Sequence, residues 1–182
     1  MSEAAPTIKT ILNPYKMQWY VELYVNGQWT SVLHMTELNS AEHTAEPDEY
    51  ETAYIDYKNQ TKYVMSEKSQ VEFELDMVGP DGVQKQLYGI EDVYNVPGRI
   101  TRTLAYDFSK GAACPETALV AKQAPCVVNT SPIQQGSTTD PLRMTVTVSM
   151  NGDWEFGTFN ATTSTFTKSA TQAADGGKAV SA

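Results

Sequence analysis

The sequence has few of the residues from which most catalytic and metal-binding sites are built. It contains two cysteines and two histidines in 182 residues, and their spacings match none of the usual zinc patterns. It also lacks a Gly-x-Ser-x-Gly nucleophile elbow and the glycine-rich loops that cradle phosphates. We therefore expect no enzymatic activity, no metal site and no cofactor.

Basic residues are also scarce relative to acidic ones. Thirteen lysines and arginines stand against 22 aspartates and glutamates, which gives a formal net charge of −9. Nucleic-acid-binding proteins draw much of their affinity from basic side chains that contact phosphates. The excess of acid therefore argues against a protein that binds nucleic acid tightly.

Long apolar segments are absent as well. No stretch approaches the roughly 18 apolar residues of a membrane-spanning helix. The first ten residues include Glu3 and Pro6 and do not resemble a signal peptide. These features predict a protein that is made in the cytoplasm and has no membrane partner. We then expect Cys114 and Cys126 to be reduced thiols.

The remaining composition suits one globular domain. Hydrophobic residues make up 41% of the chain and charged residues 19%, which is sufficient for a sizeable core. The length predicts a single domain with tails. We place an N-terminal arm at 1–14, the domain at 15–168 and a flexible tail, rich in Ala, Gly and Ser, at 169–182.

Apolar and polar residues alternate strictly in three segments, at 17–25, 71–77 and 142–150. A period of two is the signature of half-buried strands. Looser alternation at 100–108 and 117–128 indicates further strands. The sequence therefore predicts a mainly β protein.

Asn26-Gly27 lies between two strand-like runs and suits a two-residue hairpin turn. Such a turn places Tyr24 opposite Trp29 and Tyr20 opposite Leu33. Both faces of this hairpin then carry large apolar side chains. We expect its second face to pack against a helix or a neighbouring subunit.

A second Asn-Gly pair, Asn151-Gly152, predicts another hairpin near the end of the chain. With a two-residue loop, Trp154 and Phe156 lie on the threonine-bearing face of the strand. A bulge that shifts the register by one residue would move both side chains to the core face. The sequence leaves these two registers open.

One helix is predicted, beginning after Gly79-Pro80-Asp81 and ending before Pro97. Asp81 is a suitable N-cap, and Pro97-Gly98 is a stop signal. The apolar residues of this segment form one stripe at helical spacing, which should lie against a sheet: Val83, Leu87, Ile90 and Tyr94.

A long polar segment, 36–67, separates the first hairpin from the second clean strand. Its front part, Glu37 to Asp56, contains seven acids and no lysine or arginine, but it lacks the spacing of a calcium-binding loop. We interpret it as a long loop or extended hairpin, of the kind that is usually functional or ordered by a partner. Its tyrosines suit contacts better than solvation: Tyr50, Tyr54, Tyr57 and Tyr63.

Glu72, Glu74 and Asp76 lie on one face of a predicted strand, at steps of about 6.6–6.8 Å. That separation would suit the two carboxyl groups of an inverting glycosidase. Charges at alternate positions of a strand are, however, typical of its solvated face. We expect that simpler role.

Two blocks of sequence carry a resemblance to a known family. The first is Tyr54-Ile55-Asp56-Tyr57-Lys58-Asn59-Gln60-Thr61-Lys62-Tyr63-Val64, with Val71 to Asp76 after it. The second runs from Met144 to Phe159, with Thr165-Phe166-Thr167 beyond it. Together with the order of elements over residues 15–168, these blocks resemble the major tail tube proteins of bacteriophages with long, non-contractile tails. Residues 114–141 match nothing in that pattern.

The resemblance implies a β-sandwich or barrel-like fold with one flanking helix, a long inter-strand loop and flexible terminal arms. It implies hexameric rings that stack into a hollow tube with an acidic lumen, which conducts DNA from capsid to host. The implied partners are further copies of the chain, a tape measure protein, a tail terminator and tail tip proteins. The implied location is the virion tail, assembled in the host bacterial cytoplasm.

Residue roles follow from the same resemblance. Glu72, Glu74 and Asp76 are expected to face the lumen, where like charge would keep DNA from adhering. The remaining assignments are aromatic residues expected to make contacts between subunits or rings: Tyr50, Tyr54, Tyr57, Tyr63, Tyr20, Tyr24 and Trp29.

Two other functions stay open at this point. An immunoglobulin-like surface module for adhesion or carbohydrate binding would be a monomer with a concave aromatic patch. A tail-terminator-type protein would form a single ring and no tube.

Overall fold

The computed structural model of the chain describes residues 16–52, 61–79, 82–91, 93–134 and 139–169. The prediction of a mainly β protein is confirmed, and one α-helix, α1 (Gly82–Tyr88), occurs in these residues. They also contain twelve strands: β1 (Met17–Val25), β2 (Gln28–Trp29), β3 (Leu33–His34), β4 (Leu38–Thr52), β5 (Thr61–Asp76), β6 (Val96–Leu104), β7 (Tyr106–Asp107), β8 (Ala112–Ala113), β9 (Leu119–Thr130), β10 (Arg143–Met150), β11 (Glu155–Asn160) and β12 (Thr165–Lys168).

Ten of these strands form one antiparallel sheet with the order β2-β1-β6-β9-β10-β5-β4. Strand β3 pairs with β1, and β12 pairs with β11. Strand β9 is the branch point, because β6 pairs along one side of it while β10 and β11 share the other side. Strands β7 and β8 form a separate two-stranded ribbon.

The first Asn-Gly turn is confirmed. Asn26 and Gly27 have φ values of 53° and 81°, and Tyr24 lies opposite Trp29 as expected. Further from the turn the register moves by one residue, so that Tyr20 lies opposite His34 and not opposite Leu33. The shift occurs after β2, which is only two residues long.

The second Asn-Gly pair is not a hairpin turn. Asn151 and Gly152 do not adopt the positive φ values that such a turn requires. Strands β10 and β11 instead follow each other along the same side of β9. Between them, the four residues 151–154 form a bulge opposite two residues of β9, 124–125. The hairpin at this end of the chain is formed by β11 and β12.

This arrangement decides the position of two aromatic residues. Trp154 packs against the main core, and Phe156 lies opposite Lys122 on the core side of the sheet. Both therefore lie on the face that a shifted register would give. The cause is the pairing of β11 with β9 and not a shifted hairpin with β10.

The helix is shorter than predicted. Val83, Leu87 and Ile90 are buried as expected, but Tyr94 is 80% exposed. After α1 the backbone closes tighter turns, with hydrogen bonds from Ile90 N to Leu87 O and from Val93 N to Ile90 O. These turns end the apolar stripe before it reaches Tyr94.

The main core lies between α1 and one face of the sheet. Val71, Phe73 and Leu75 on β5 are fully buried there, as the alternation predicts. A buried amide ties the helix to the end of this strand: Gln84 Nε2 donates to Asp76 O at 2.9 Å, and Val78 N donates to Gln84 Oε1 at 3.1 Å. The helix is therefore positioned by both packing and hydrogen bonds.

A second, smaller core lies on the opposite face of the sheet. It is built from Tyr20, Ala121 and Phe159, and the rings of Tyr20 and Phe159 are 4.4 Å apart. The second face of the first strand is therefore covered around Tyr20 by the chain's own β11–β12 hairpin, and not by the helix or neighbouring subunit that was expected there. Tyr20 is only 5% exposed, so the contact role expected for it does not fit its position.

The polar segment 36–67 forms an extended hairpin in its described part, not a loop. Strands β4 and β5 pair over 15 and 16 residues, with irregularities after Leu38 and after Asp48. Residues 114–141, which match nothing in the family pattern, supply the central strand β9.

Both cysteines are free thiols, as predicted. Cys126 lies in the main core, where burial raises the pKa of its thiol to about 12. A thiol with so high a pKa reacts slowly at neutral pH. None of the helices in the described ranges is long and apolar enough to cross a membrane.

Candidate functional site

The strongest feature of the surface is an acidic face on the β4–β5–β10 part of the sheet. Glu72, Glu74 and Asp76 alternate with the buried residues of β5, so their side chains lie on the face opposite α1. Strand β4 adds Glu42 directly opposite Glu72. We call these four carboxylates, at positions 42, 72, 74 and 76, the acidic face.

The Glu42–Glu72 pair is an unfavourable arrangement in a sheet. Like charges directly opposite each other destabilise an antiparallel pair. Within the described part of the chain, neither carboxylate has a cationic partner. Both groups therefore remain available to repel an anion or to attract a cation.

The other two carboxylates share one cation. Arg143 on β10 donates from Nε to Asp76 Oδ1 at 3.0 Å and from Nη1 to Glu74 Oε1 at 3.2 Å. The hydrogen bond to Asp76 and the charges of Asp76 and Glu74 raise the pKa of the Arg143 guanidinium. One positive charge among four negative ones leaves the face strongly acidic.

This face does not have the form of a catalytic site. Glu72 and Glu74 line an open depression of about 300 Å³ together with Ser40, Glu42 and Thr145. None of the described residues that line it is aromatic, so they offer no stacking platform for a sugar ring. The geometry suits long-range electrostatics better than acid–base chemistry.

The aromatic residues of the first hairpin form an exposed patch. Tyr24 and Trp29 are 40% and 42% exposed, and their rings are 5.2 Å apart. Arg99 lies over the Trp29 ring at 4.0 Å and pairs with Glu22 at 3.3 Å. Tyr24 and Trp29 are thus accessible to a partner, in contrast to Tyr20.

The tyrosines expected in the long segment are only partly placed. Tyr50 and Tyr63 are register partners near the far end of the β4–β5 hairpin. Tyr54 and Tyr57 lie outside the described residues. The contact roles of all four stay predictions.

One group of residues was missed by the sequence analysis. Arg102 on β6 and Lys122 on β9 lie opposite each other, and both occupy positions that share the face of the buried residues. A signal was present: in the run Ile100, Arg102, Leu104 a cation stands where alternation calls for an apolar residue. The looser alternation of these strands hid it.

Comparisons with known proteins give structural likenesses only. No protein-family model matches the sequence, and no curated protein matches it. A chain from the sheath/tube terminator of an extracellular contractile injection system, in the extended state, is 11% identical with a TM-score of 0.50. The alignment covers 80% of this chain and 96% of that one. At this identity the likeness indicates a shared fold.

Two further structures are similar at lower scores. A chain from the tail of an empty GTA particle with C6 symmetry is 11% identical, with a TM-score of 0.49 over 80% of this chain and 98% of that one. A chain from the six-fold symmetrised baseplate of the anti-feeding prophage is 7% identical, with a TM-score of 0.48 over 82% and 97%.

Proposed function

We propose that the chain is a non-enzymatic structural subunit of a phage-type tail, whose copies form hexameric rings that stack into a hollow tube. The observation that carries this proposal is the acidic face, which lies on the β4–β5–β10 part of a sheet whose edge at β4 is open in the described residues. The fold shared with a chain of a sheath/tube terminator structure supports it.

The open edge of the sheet provides a means of assembly. Strand β4 pairs with β5 on one side only, so the backbone groups along its other side have no strand partner within the described sheet. An exposed edge of 15 residues is a template for pairing with another chain. A neighbouring copy that covers this edge would continue the acidic face around a ring.

An acidic inner wall suits the passage of DNA. Phosphates are repelled by Glu42 and Glu72, and DNA therefore slides without forming the basic contacts that hold it in place. In this proposal Glu72, Glu74 and Asp76 face the lumen. Tyr24 and Trp29, together with the tyrosines of the β4–β5 hairpin, contact neighbouring subunits or rings.

The proposal extends to the assembled particle. Tape measure, terminator and tip proteins would be the partners, and the virion tail would be the location.

Assignment to a non-contractile tail rests on the sequence resemblance alone, because the neighbour at a TM-score of 0.50 comes from a contractile system. That neighbour's structure also favours a second candidate, a terminator that forms one ring and no tube.

Assembly of the purified chain tests the proposal. We expect negative-stain electron microscopy over a concentration series to show six-fold rings that stack into tubes, with light scattering giving the mass of one ring as six chains. Single rings at every concentration would favour the terminator. A monomer at every concentration, even after prolonged incubation or seeding with tail tips, would contradict both and favour a surface-binding module.

Reversing one charge on the acidic face should make the tube retain DNA. We expect Glu72→Lys tubes to retain linear double-stranded DNA in a pull-down, with retention falling steeply as salt rises, because each ring gains a set of phosphate contacts. Glu116→Lys, an equal change at an exposed acid outside the acidic face, is the control. A closed circular plasmid cannot thread a tube and should not be retained. Equal retention by the two variants, or retention of the circle, would contradict a lumenal position.

A further inference from the structure

Four side chains form a row across neighbouring strands on the core side of the sheet. Trp19 on β1 lies opposite Arg102 on β6, Arg102 opposite Lys122 on β9, and Lys122 opposite Phe156 on β11. Two cations therefore stand side by side between two aromatic residues. The row lies away from the acidic face, on the other side of the sheet.

Arg102 and Lys122 have no counter-ion in the part of the chain that the structure describes. Both side chains are half-buried, and no ion pair to either is formed within the residues that the structure describes. Lys122 Nζ lies 4.0 Å above the centre of the Trp154 ring, which offers a cation–π contact but no negative charge. Burial, and then the charge of Arg102, lower the pKa of Lys122 to about 8.

Arg102 and Lys122 lie in a small open depression with apolar walls, which we call the cleft. Leu104, Val120 and Phe156 line a depression of about 160 Å³ together with the two cations. Phe156 is 43% exposed at its mouth. Apolar walls around two cations suit a carboxylate that arrives on a protein segment, because the walls exclude water from the resulting ion pair.

We propose that this cleft receives carboxylates of strand β4 from a second copy of the chain. The proposal rests on the proposed self-assembly. Outside the acidic face, strand β4 carries four further acids and no lysine or arginine, and it is the open edge of the described sheet: Glu46, Asp48, Glu49 and Glu51. Its charge complements a pair of cations that has no ion-pair partner among the described residues of its own subunit.

The contact joins two different surfaces of the chain. The cleft lies on β6, β9 and β11, whereas β4 is at the edge of the sheet beyond β10 and β5. Each copy can therefore receive one acidic strand and offer another. Contacts of this head-to-tail kind generate closed rings or open stacks.

Removing the positive charge of Lys122 distinguishes a role in binding a second copy from a role in the stability of the subunit itself. Lys122→Met keeps the apolar stem over Trp154 but removes the charge, so the isolated subunit loses the repulsion from Arg102 and should be equally or more stable. Assembly should nevertheless weaken, with the concentration for half-assembly rising at least about tenfold in sedimentation velocity. Lys122→Arg should assemble nearly as the wild type does, and Lys85→Met, at an exposed helix position, is the matched control.

Zero-length crosslinking identifies the segment that binds in the cleft. Carbodiimide treatment of an equal mixture of ¹⁴N- and ¹⁵N-labelled chains should join Lys122 to a carboxylate of β4, with the mixed isotope masses that mark a contact between two copies. Crosslinks of Lys122 only within one chain, or only to another segment of the partner, would overturn the assignment. Unchanged assembly of Lys122→Met would overturn it as well.

The two proposals fail in different ways. If Lys122→Met forms six-fold rings as well as the wild type does, the tube-subunit proposal stands and the cleft has no part in assembly. If the chain instead forms dimers that depend on Lys122 but no rings, the cleft binds a second copy and the ring proposal fails.

Discussion

Replacing Phe73 with alanine is expected to lower the free energy of unfolding by about 3–5 kcal/mol. The side chain is fully buried, and its ring meets that of Trp19 edge-on at a centroid distance of 5.3 Å. It also lies in register with Val146 on β10 and Ala41 on β4, so three strands lose packing together. Denaturant unfolding of the dilute, unassembled chain measures the change.

Phe108→Ala is the matched control for this substitution. Phe108 is 69% exposed and contacts Tyr106 at a ring distance of 5.2 Å. Its removal should change the free energy of unfolding by no more than about 0.5 kcal/mol, as at most surface positions. Similar losses for the two variants would mean that β5 does not form the centre of the core.

Replacing Gly157 with alanine is expected to disrupt the pairing of β11 with β12. A Cβ atom at this position would lie far inside van der Waals contact of the Thr167 backbone oxygen, and 3.0 Å from Lys168 Cα. Backbone atoms of a paired strand cannot move aside as a flexible side chain can. We expect a loss of about 1–3 kcal/mol or more, as for other overpacked sites.

Hydrogen exchange locates the effect of this substitution. Because β11 is the sole partner of β12 within the described sheet, the β12 amides should lose protection in Gly157→Ala, while those of β5 and β10 should keep theirs. Gly82→Ala is the control, since a Cβ atom there meets only Leu33 Cδ2, at an ordinary 3.8 Å. Normal protection of β12 in the Gly157 variant would contradict the observed register.

The small core near Tyr20 should respond to the same change. Phe159 on β11 supplies the ring that covers Tyr20, and Phe166 on β12 packs beside it. If the hairpin detaches, Tyr20 becomes exposed on a surface where the sequence analysis placed a contact between subunits. Tyr20 is therefore buried in the intact subunit because the β11–β12 hairpin packs over it.

Local features of the structure were predictable from the sequence. The faces of β5 and β10 follow from strict alternation, because side chains of any strand alternate with a period of two whatever the strand pairs with. The turn at Asn26-Gly27 was predictable for a similar reason, since the two residues themselves favour positive φ. These local rules alone place Glu72, Glu74 and Asp76 on the face opposite the buried residues of β5. Glu42 joins them only through the register of β4 with β5, which the sequence analysis did not predict.

The remaining features depended on which strands meet. Asn151-Gly152 has the sequence of a turn, but the chain continues along β9, because β10 is already paired with β5 on one side and with β9 on the other, whereas residues 119–123 of β9 can still pair with β11. Arg102 and Lys122 are 20 positions apart, and only the register of β6 with β9 makes them neighbours. Strand pairing is a non-local choice that propensity and periodicity do not encode. The sequence by itself therefore determined the faces of the strands, and the tertiary structure alone decided which side chains share a cleft.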